Sequence, residues 1–176
     1  MVGLLYTGLV SVTFRKLVPE EIIELVVKAG LNAIEWGGDV HVPHGNTDIA
    51  SRVKQLTEKA GLKVASYGSY YRVGNKNDFT FEQVLNSAVA LGAPVVRVWA
   101  GRVGSAEADE DYWKSVIQDS VRIVNMASNK GIKVAYEYHE NTLTDTPDSA
   151  VQLLKSINNS NIGTYWQPLD NEKHEE

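Results

Sequence analysis

The chain has 176 residues, 43% hydrophobic and 22% charged, the makeup of one soluble globular domain with room for a sizeable core. Its formal net charge of -5 comes without any Lys/Arg cluster, so the electrostatic footprint of a nucleic-acid binder is missing. There is no Cys, which excludes disulfides, thiolate metal sites and a Cys nucleophile.

Met1 to Val10 is apolar, but no basic region precedes it, and Thr7 and Gly8 arrive too soon for a signal peptide. Nowhere do about 18 apolar residues run together, so a cytoplasmic protein without a membrane partner is expected. Leu4 to Val12, apolar on both faces, predicts a first strand covered on two sides. Pro19 then opens a helix carrying Ile22, Leu25, Val26 and Ala29 on one stripe, with Gly30 as the left-handed stop.

Leu31 to Trp36 predicts a second strand whose end carries Glu35 and Trp36, followed by a polar loop with Asp39, His41 and His44. Thr47 or Asp48 caps the next helix, with Ile49, Val53, Leu56 and Ala60 inward and Gly61 as stop. Strand three, Leu62 to Ser66, runs into Tyr67, Tyr70 and Tyr71. Thr80-Phe81-Glu82-Gln83 has the spacing of a capping box, and Val84, Leu85, Ala88 and Leu91 continue that helix to Gly92.

Strand four, Pro94 to Val98, contains Arg97 and closes with Trp99 and Gly101. The longest helix is predicted from about Asp109 to Lys130, the acidic run Glu107 to Asp111 being its solvated start. Strand five follows Gly131 and ends abruptly in ionisable groups, Tyr136-Glu137-Tyr138-His139-Glu140. Thr146-Pro147 begins a last helix, Asn158-Asn159 end it, and Ile162 to Trp166 is a sixth strand running into Gln167, Pro168 and Asp170. A single domain over 1–170 is expected, with a polar tail over 171–176.

Gly30, Gly61, Gly92 and Gly131 recur at near-regular intervals, each followed by a strand. Such alternation means βα units on a parallel sheet. Length favours an open doubly wound sheet over a closed barrel of eight strands and about 250 residues. Against it, the loop after strand one has no Gly-rich phosphate cradle, and polar or aromatic groups end strands two to six instead of gathering at one switch point.

The runs Ile34-Glu35-Trp36-Gly37-Gly38-Asp39-Val40-His41, Ser66-Tyr67-Gly68-Ser69-Tyr70-Tyr71, Arg97-Val98-Trp99-Ala100-Gly101, Tyr136-Glu137-Tyr138-His139 and Tyr165-Trp166-Gln167-Pro168 resemble the xylose isomerase-like TIM-barrel family, the sugar phosphate isomerases and epimerases. The resemblance covers nearly the whole chain and implies an incomplete TIM-type (β/α) barrel of about six strands and five helices. It also implies a divalent metal, Mn²⁺ or Mg²⁺, held by a Glu after strand five, an Asp after strand six, a His after strand seven and a Glu after strand eight. Glu137 matches the first and is the expected metal ligand and proton-transferring group, unless it is only an ion-pair partner of Arg97 or a Lys. Gln167 stands where the Asp would be, and an amide oxygen is a poorer ligand than a carboxylate. No residue supplies the last two ligands, so the metal is expected to be weakened or lost.

For the ligand, the resemblance implies a small carbohydrate or sugar phosphate. His41 resembles a substrate-contacting His, against an ordinary loop His. His139 shares a face with Glu137 if period 2 holds. Trp36, Tyr67, Trp99 and Trp166 are either aromatic walls for a sugar or core, and Glu35 and Gln167 ring the same mouth. Arg97 either holds a phosphate or is the buried partner of Glu35 or Glu137.

Three functions compete. The first is a sugar or sugar-phosphate isomerase/epimerase using metal-assisted proton transfer. The second is an inactive or incomplete member that binds carbohydrate or is completed by a partner, since exposed sheet edges invite pairing, including with a second copy. The third, a DNA-repair endonuclease of the same superfamily, is opposed by the acidic charge and by Tyr67 where a metal ligand would be.

Overall fold

The structure, a computed structural model, describes residues 5–167. The expected tail and Pro168 and Asp170 lie outside the described residues, as does the start of the first expected strand at Leu4. Six strands alternate with five helices: β1 Gly8–Val10, α1 Pro19–Lys28, β2 Ala33–Gly37, α2 Thr47–Lys59, β3 Lys63–Arg72, α3 Phe81–Leu91, β4 Val95–Trp99, α4 Glu110–Ser128, β5 Lys133–Tyr136, α5 Pro147–Ile157 and β6 Ile162–Thr164.

Each strand pairs in parallel with its neighbours in sequence, in the order β1-β2-β3-β4-β5-β6. A doubly wound sheet reverses its strand order at a switch point, and this one never does. The wall is therefore an incomplete (β/α) barrel, and the doubly wound alternative is set aside. Among the described residues β1 and β6 have a strand neighbour on one side only.

Alternation along each strand sorts the side chains into two layers. Ile34, Trp36, Tyr67, Val96, Val98, Val134 and Tyr136 belong to the buried apolar cluster shared with Ile22, Val26, Val53, Val84, Leu91, Ile123 and Leu153 of the helices. The opposite parity, Glu35, Ser66, Arg97 and Glu137, forms a bonded polar set. Burying polar groups is tolerable when they bond to one another, as Glu35, Ser66 and Arg97 do, while Glu137 keeps part of its side chain exposed.

The helix ends follow from local chemistry, with small displacements. Thr80 and Gln83 form the reciprocal capping box, Gln83 N donating to Thr80 Oγ1 at 3.2 Å and Thr80 N to Gln83 Oε1 at 2.9 Å. The cap of α2 is Asn46, whose Oδ1 accepts from Ile49 N at 3.0 Å, one residue before the expected Thr47. Asp109 and Thr146 cap α4 and α5. Strand one is shorter and more exposed than predicted, because the backbone enters a 3₁₀ turn at Ser11–Phe14 and, among the described residues, no strand lies on its outer side. Strand three is longer, reaching Arg72.

Candidate functional site

The carboxyl end of the sheet is where βα loops open and where side chains from several strands meet. There Arg97 of β4 is the central cation. Its Nε donates to Glu35 Oε1 of β2 at 2.8 Å, and its Nη1 donates to Glu137 Oε2 just after β5. Ser66 Oγ of β3 donates to the other Glu35 oxygen at 2.6 Å. Burial works against charge on Arg97, yet the negative charges of Glu35 and Glu137 outweigh it and raise the guanidinium above its ordinary range.

Glycine makes the arrangement fit. A Cβ on Gly68 would lie 2.6 Å from Arg97 Nη2 and 2.8 Å from Glu35 Oε1, so this position of β3 must be bare for the guanidinium to pass.

Glu137 is held a second time by Trp99, whose Nε1 donates to the same Oε2. Its other oxygen accepts no hydrogen bond among the described residues. The loop behind it is braced by Thr144 Oγ1 donating to Glu137 O at 2.7 Å and by Glu137 N donating to Val98 O at 2.9 Å. His139 stacks on Trp99, with ring centroids 4.6 Å apart, and its Nδ1 lies 2.8 Å from Glu140 O.

Tyr70 is placed here by a distortion. The β3–β4 register shifts between Gly68 and Arg72, and Tyr70 takes φ +56, a conformation that a bulky side chain rarely adopts. Ser69 Oγ, donating to Arg97 O at 2.7 Å, fastens the bulge. The ring of Tyr70 then lies edge-on to Trp99, centroids 5.9 Å apart, with the Arg97 guanidinium carbon 4.9 Å from its own centroid. Beyond β6, Tyr165 has its phenol ionisation pushed up by burial first and by the Glu35 charge second.

The structure thus brings together Glu35, Arg97, Trp99, Glu137 and His139. Three other sequence candidates sit elsewhere because their parity or their loop turns them away. Trp36 is fully buried against α2, its Nε1 donating to Thr57 Oγ1 at 3.2 Å. Tyr67 is fully buried, its hydroxyl donating to Val42 O at 2.8 Å and meeting His44 Nδ1 at 2.7 Å. His41 has both ring nitrogens engaged, Nδ1 with Ser11 Oγ at 3.0 Å and Nε2 with Leu17 O at 3.2 Å. Gln167 is half-buried after β6, while Trp166 is 79% exposed.

Sequence reasoning gave no role to Ser66, Tyr70 and Tyr165. Ser66 was findable: it has the inward parity and sits in register with Glu35. No sequence signal announces the bulge that delivers Tyr70.

A sequence profile of the xylose isomerase-like TIM barrel matches residues 23–169. The chain belongs to that family. No curated protein sequence matches it. Among solved structures it is similar to the probable 3-DHS dehydratase AsbF of petrobactin synthesis from Bacillus anthracis, at 22% identity and a TM-score of 0.80. It is also similar to D-psicose 3-epimerase crystallised in the presence of D-fructose, at 15% and 0.72, and to IolI protein with a bound zinc atom, at 18% and 0.71. Each match covers 91% of this chain and 62% of the other, so the chain spans less than two thirds of those proteins. At these identities the likeness is one of fold.

A divalent ion of the Mn²⁺ or Mg²⁺ kind needs several oxygen donors converging on one point. Among the described residues no three His, Asp or Glu side chains are placed to share an ion, and Glu137 Oε2 is already engaged by Arg97 and Trp99. The described residues therefore do not fit the metal implied by the resemblance. No described helix is long and apolar enough to cross a membrane.

Proposed function

We propose that this protein acts on a small carbohydrate or sugar derivative by proton transfer between adjacent carbons, in the manner of an isomerase or epimerase, with Glu137 as the group that moves the proton. The observation that carries the reading is the state of the Glu137 carboxylate. One oxygen is fixed by Arg97 and Trp99, and the other has no protein partner among the described residues. A carboxylate held in place with one free oxygen is what a general base requires.

In this reading a sugar lies against His139, whose ring is held by stacking on Trp99 and offers its other face to the C–H face of the sugar. Glu137 takes the proton from the carbon next to the carbonyl. The bonding pair of that C–H bond becomes the C=C bond of an enediol as the carbonyl π pair moves to oxygen, which takes a proton from water. Glu137 returning its proton to the former carbonyl carbon, with the proton of the original hydroxyl lost to water, gives the isomer, and a proton delivered by water to the opposite face of the original carbon, with the enediol hydroxyl proton lost to water, gives the epimer. Arg97 and Trp99 are positioning residues for Glu137. Neighbours named as a D-psicose epimerase and a dehydratase support the class of chemistry, not the substrate.

Incubation of the full chain with D-fructose, D-psicose and related ketoses in deuterated water tests this, read by loss of the C3 or C1 proton signal. Exchange that is abolished by Glu137→Gln is expected. No exchange and no calorimetric sugar binding, with or without added Mn²⁺, overturns it.

A second reading rests on the two open edges. With β1 and β6 each lacking one neighbour among the described residues, this piece of barrel is completed by strands from outside residues 5–167 or from another chain, and alone it is a carbohydrate-binding member without turnover. Sedimentation separates the two: a well-folded monomer that exchanges protons counts against completion by a partner.

A further inference from the structure

The guanidinium that sequence reasoning offered to a phosphate, Arg97, is occupied by two carboxylates and cannot serve an anion. A different arginine is free to do so. Arg72, the last residue of β3, lies over the face of Trp99 with its guanidinium carbon 3.6 Å from the ring centroid. Its Nη1 donates to Gly101 O at 3.0 Å. Arg102 opens the neighbouring β4–α4 loop, and the two cations are close enough that Arg102, after burial, lowers the Arg72 ionisation. Among the described residues neither arginine has a carboxylate within ion-pair distance.

Two like charges do not remain neighbours without restraint, and the restraint is built. Asn77 clamps the backbone of Arg72, accepting from Arg72 N at 2.9 Å and donating to Arg72 O at 3.0 Å. Tyr112 of α4 ties the two loops together: its hydroxyl accepts from Arg102 N at 2.6 Å and from Asn75 Nδ2 at 3.0 Å. Gly101, at φ +89, leaves the space that this hydroxyl fills. In a chain of net charge -5, the loops after β3 and β4 thus hold two guanidiniums that make no ion pair among the described residues, Arg72 donating to Gly101 O at 3.0 Å and Arg102 Nη2 to Lys76 O at 3.4 Å, with the Glu137 charge acting on Arg72 from the site itself.

We infer that Arg72 and Arg102 form a subsite for an oxyanion, the phosphate or carboxylate of an acidic sugar derivative whose reacting carbons lie at Glu137. This rests on the carbohydrate reading above. Trp99 links the two places, its Nε1 on Glu137 and its face under Arg72. Guanidinium groups offer paired N–H donors that match an oxyanion, and burying an anion between two of them relieves their repulsion.

Calorimetric titrations of the full chain with inorganic phosphate, D-fructose, D-fructose 6-phosphate and D-gluconate test it. Phosphate binding that weakens with added salt is expected, together with a preference for an acidic sugar over D-fructose that collapses about tenfold or more in Arg72→Met/Arg102→Met. The gluconate and fructose 6-phosphate arms tell carboxylate from phosphate. Arg102 is exposed, so Arg102→Met alone tests the subsite in a chain whose core is untouched, and Arg52→Met on the outer helices leaves the preference intact. Absence of phosphate binding, or anion affinities unchanged in the arginine variants, overturns the subsite. If arginine-dependent phosphate binding is found while no sugar exchanges protons, the subsite stands and the isomerase reading falls. If D-fructose exchanges and the arginine variants bind anions as the parent does, the subsite falls alone.

Discussion

Arg97 donates from Nη1 to Glu137 while its Nε stays on Glu35, 2.8 Å away, so that one cation locks a carboxylate at the mouth of the barrel to another inside it. The Arg97 and Glu35 side chains are 5% and 7% exposed, and that of Glu137 is 16%. Removing the cation strands two carboxylates in a poorly hydrated place. Arg97→Met is expected to destabilise by about 3–5 kcal/mol, the usual cost of leaving a buried charge unpaired. Arg97→Lys, unable to span both carboxylates with a fork, falls between. Urea unfolding measures both, and an Arg97→Met variant within about 1 kcal/mol of the parent contradicts the coupling. Adding Glu35→Gln and Glu137→Gln to Arg97→Met restores much of the loss.

The bare position beside that cation carries the second expectation. Gly68 is not needed for backbone freedom, since its φ is ordinary, but its absent side chain is replaced by the Arg97 guanidinium. Gly68→Ala pushes a methyl group against Arg97 Nη2 and Glu35 Oε1 and is expected to cost about 1–3 kcal/mol. Gly163 of β6 has open space around its Cβ direction, so Gly163→Ala makes the control and stays near neutral. Equal effects at the two positions contradict a steric cause.

Much of this was legible. The glycine stops, the capping-box spacing at Thr80, the helix starts near Asp109 and at Thr146-Pro147 and the apolar stripes marked the six strands and five helices, because these signals are local. Glu35, Arg97, Trp99 and Glu137 were legible as strand-end residues. Which way a strand-end aromatic turns was not, since Trp36 and Tyr67 differ from Glu35 and Ser66 only by one step of parity. The register shift after Gly68 and the turn that seats His41 on Ser11 and Leu17 depend on contacts between elements far apart in sequence.

Thr80 is the clearest local signal, and its energetic share can be isolated. The box lies at the exposed start of α3, so Thr80→Ala removes the hydroxyl that accepts from Gln83 N without opening the core, while the backbone N of residue 80 can still donate to Gln83 Oε1. A loss of about 1 kcal/mol is expected by thermal or urea unfolding, and Thr80→Ser recovers most of it. A neutral Thr80→Ala means that water replaces the cap at no cost.

His44 gives the fold a pH dependence. The hydroxyl of Tyr67 donates to Val42 O, so the His44 Nδ1 that lies 2.7 Å from it is assigned as an N–H donor, and a second ring proton would place a charge beside the Phe79 ring, 3.8 Å away. Burial pushes the imidazole down to about 4, with Asp39 opposing weakly. The unfolded chain, with an ordinary value of 6.5, therefore binds the proton first as pH falls. Stability is fully present above about pH 6.5, declines as pH drops toward 4, and reaches its full loss once the folded protein is itself protonated. The part owed to His44 is on the order of 1 kcal/mol after discounting for the exposed part of the ring. His41, whose ionisation burial also lowers, adds to the same slope. Melting temperatures measured from pH 7.5 to 4 are expected to fall, and His44→Gln flattens the curve in part while His44→Gln/His41→Gln flattens it further. A pH profile unchanged by His44→Gln means that the imidazole is hydrated in the native protein.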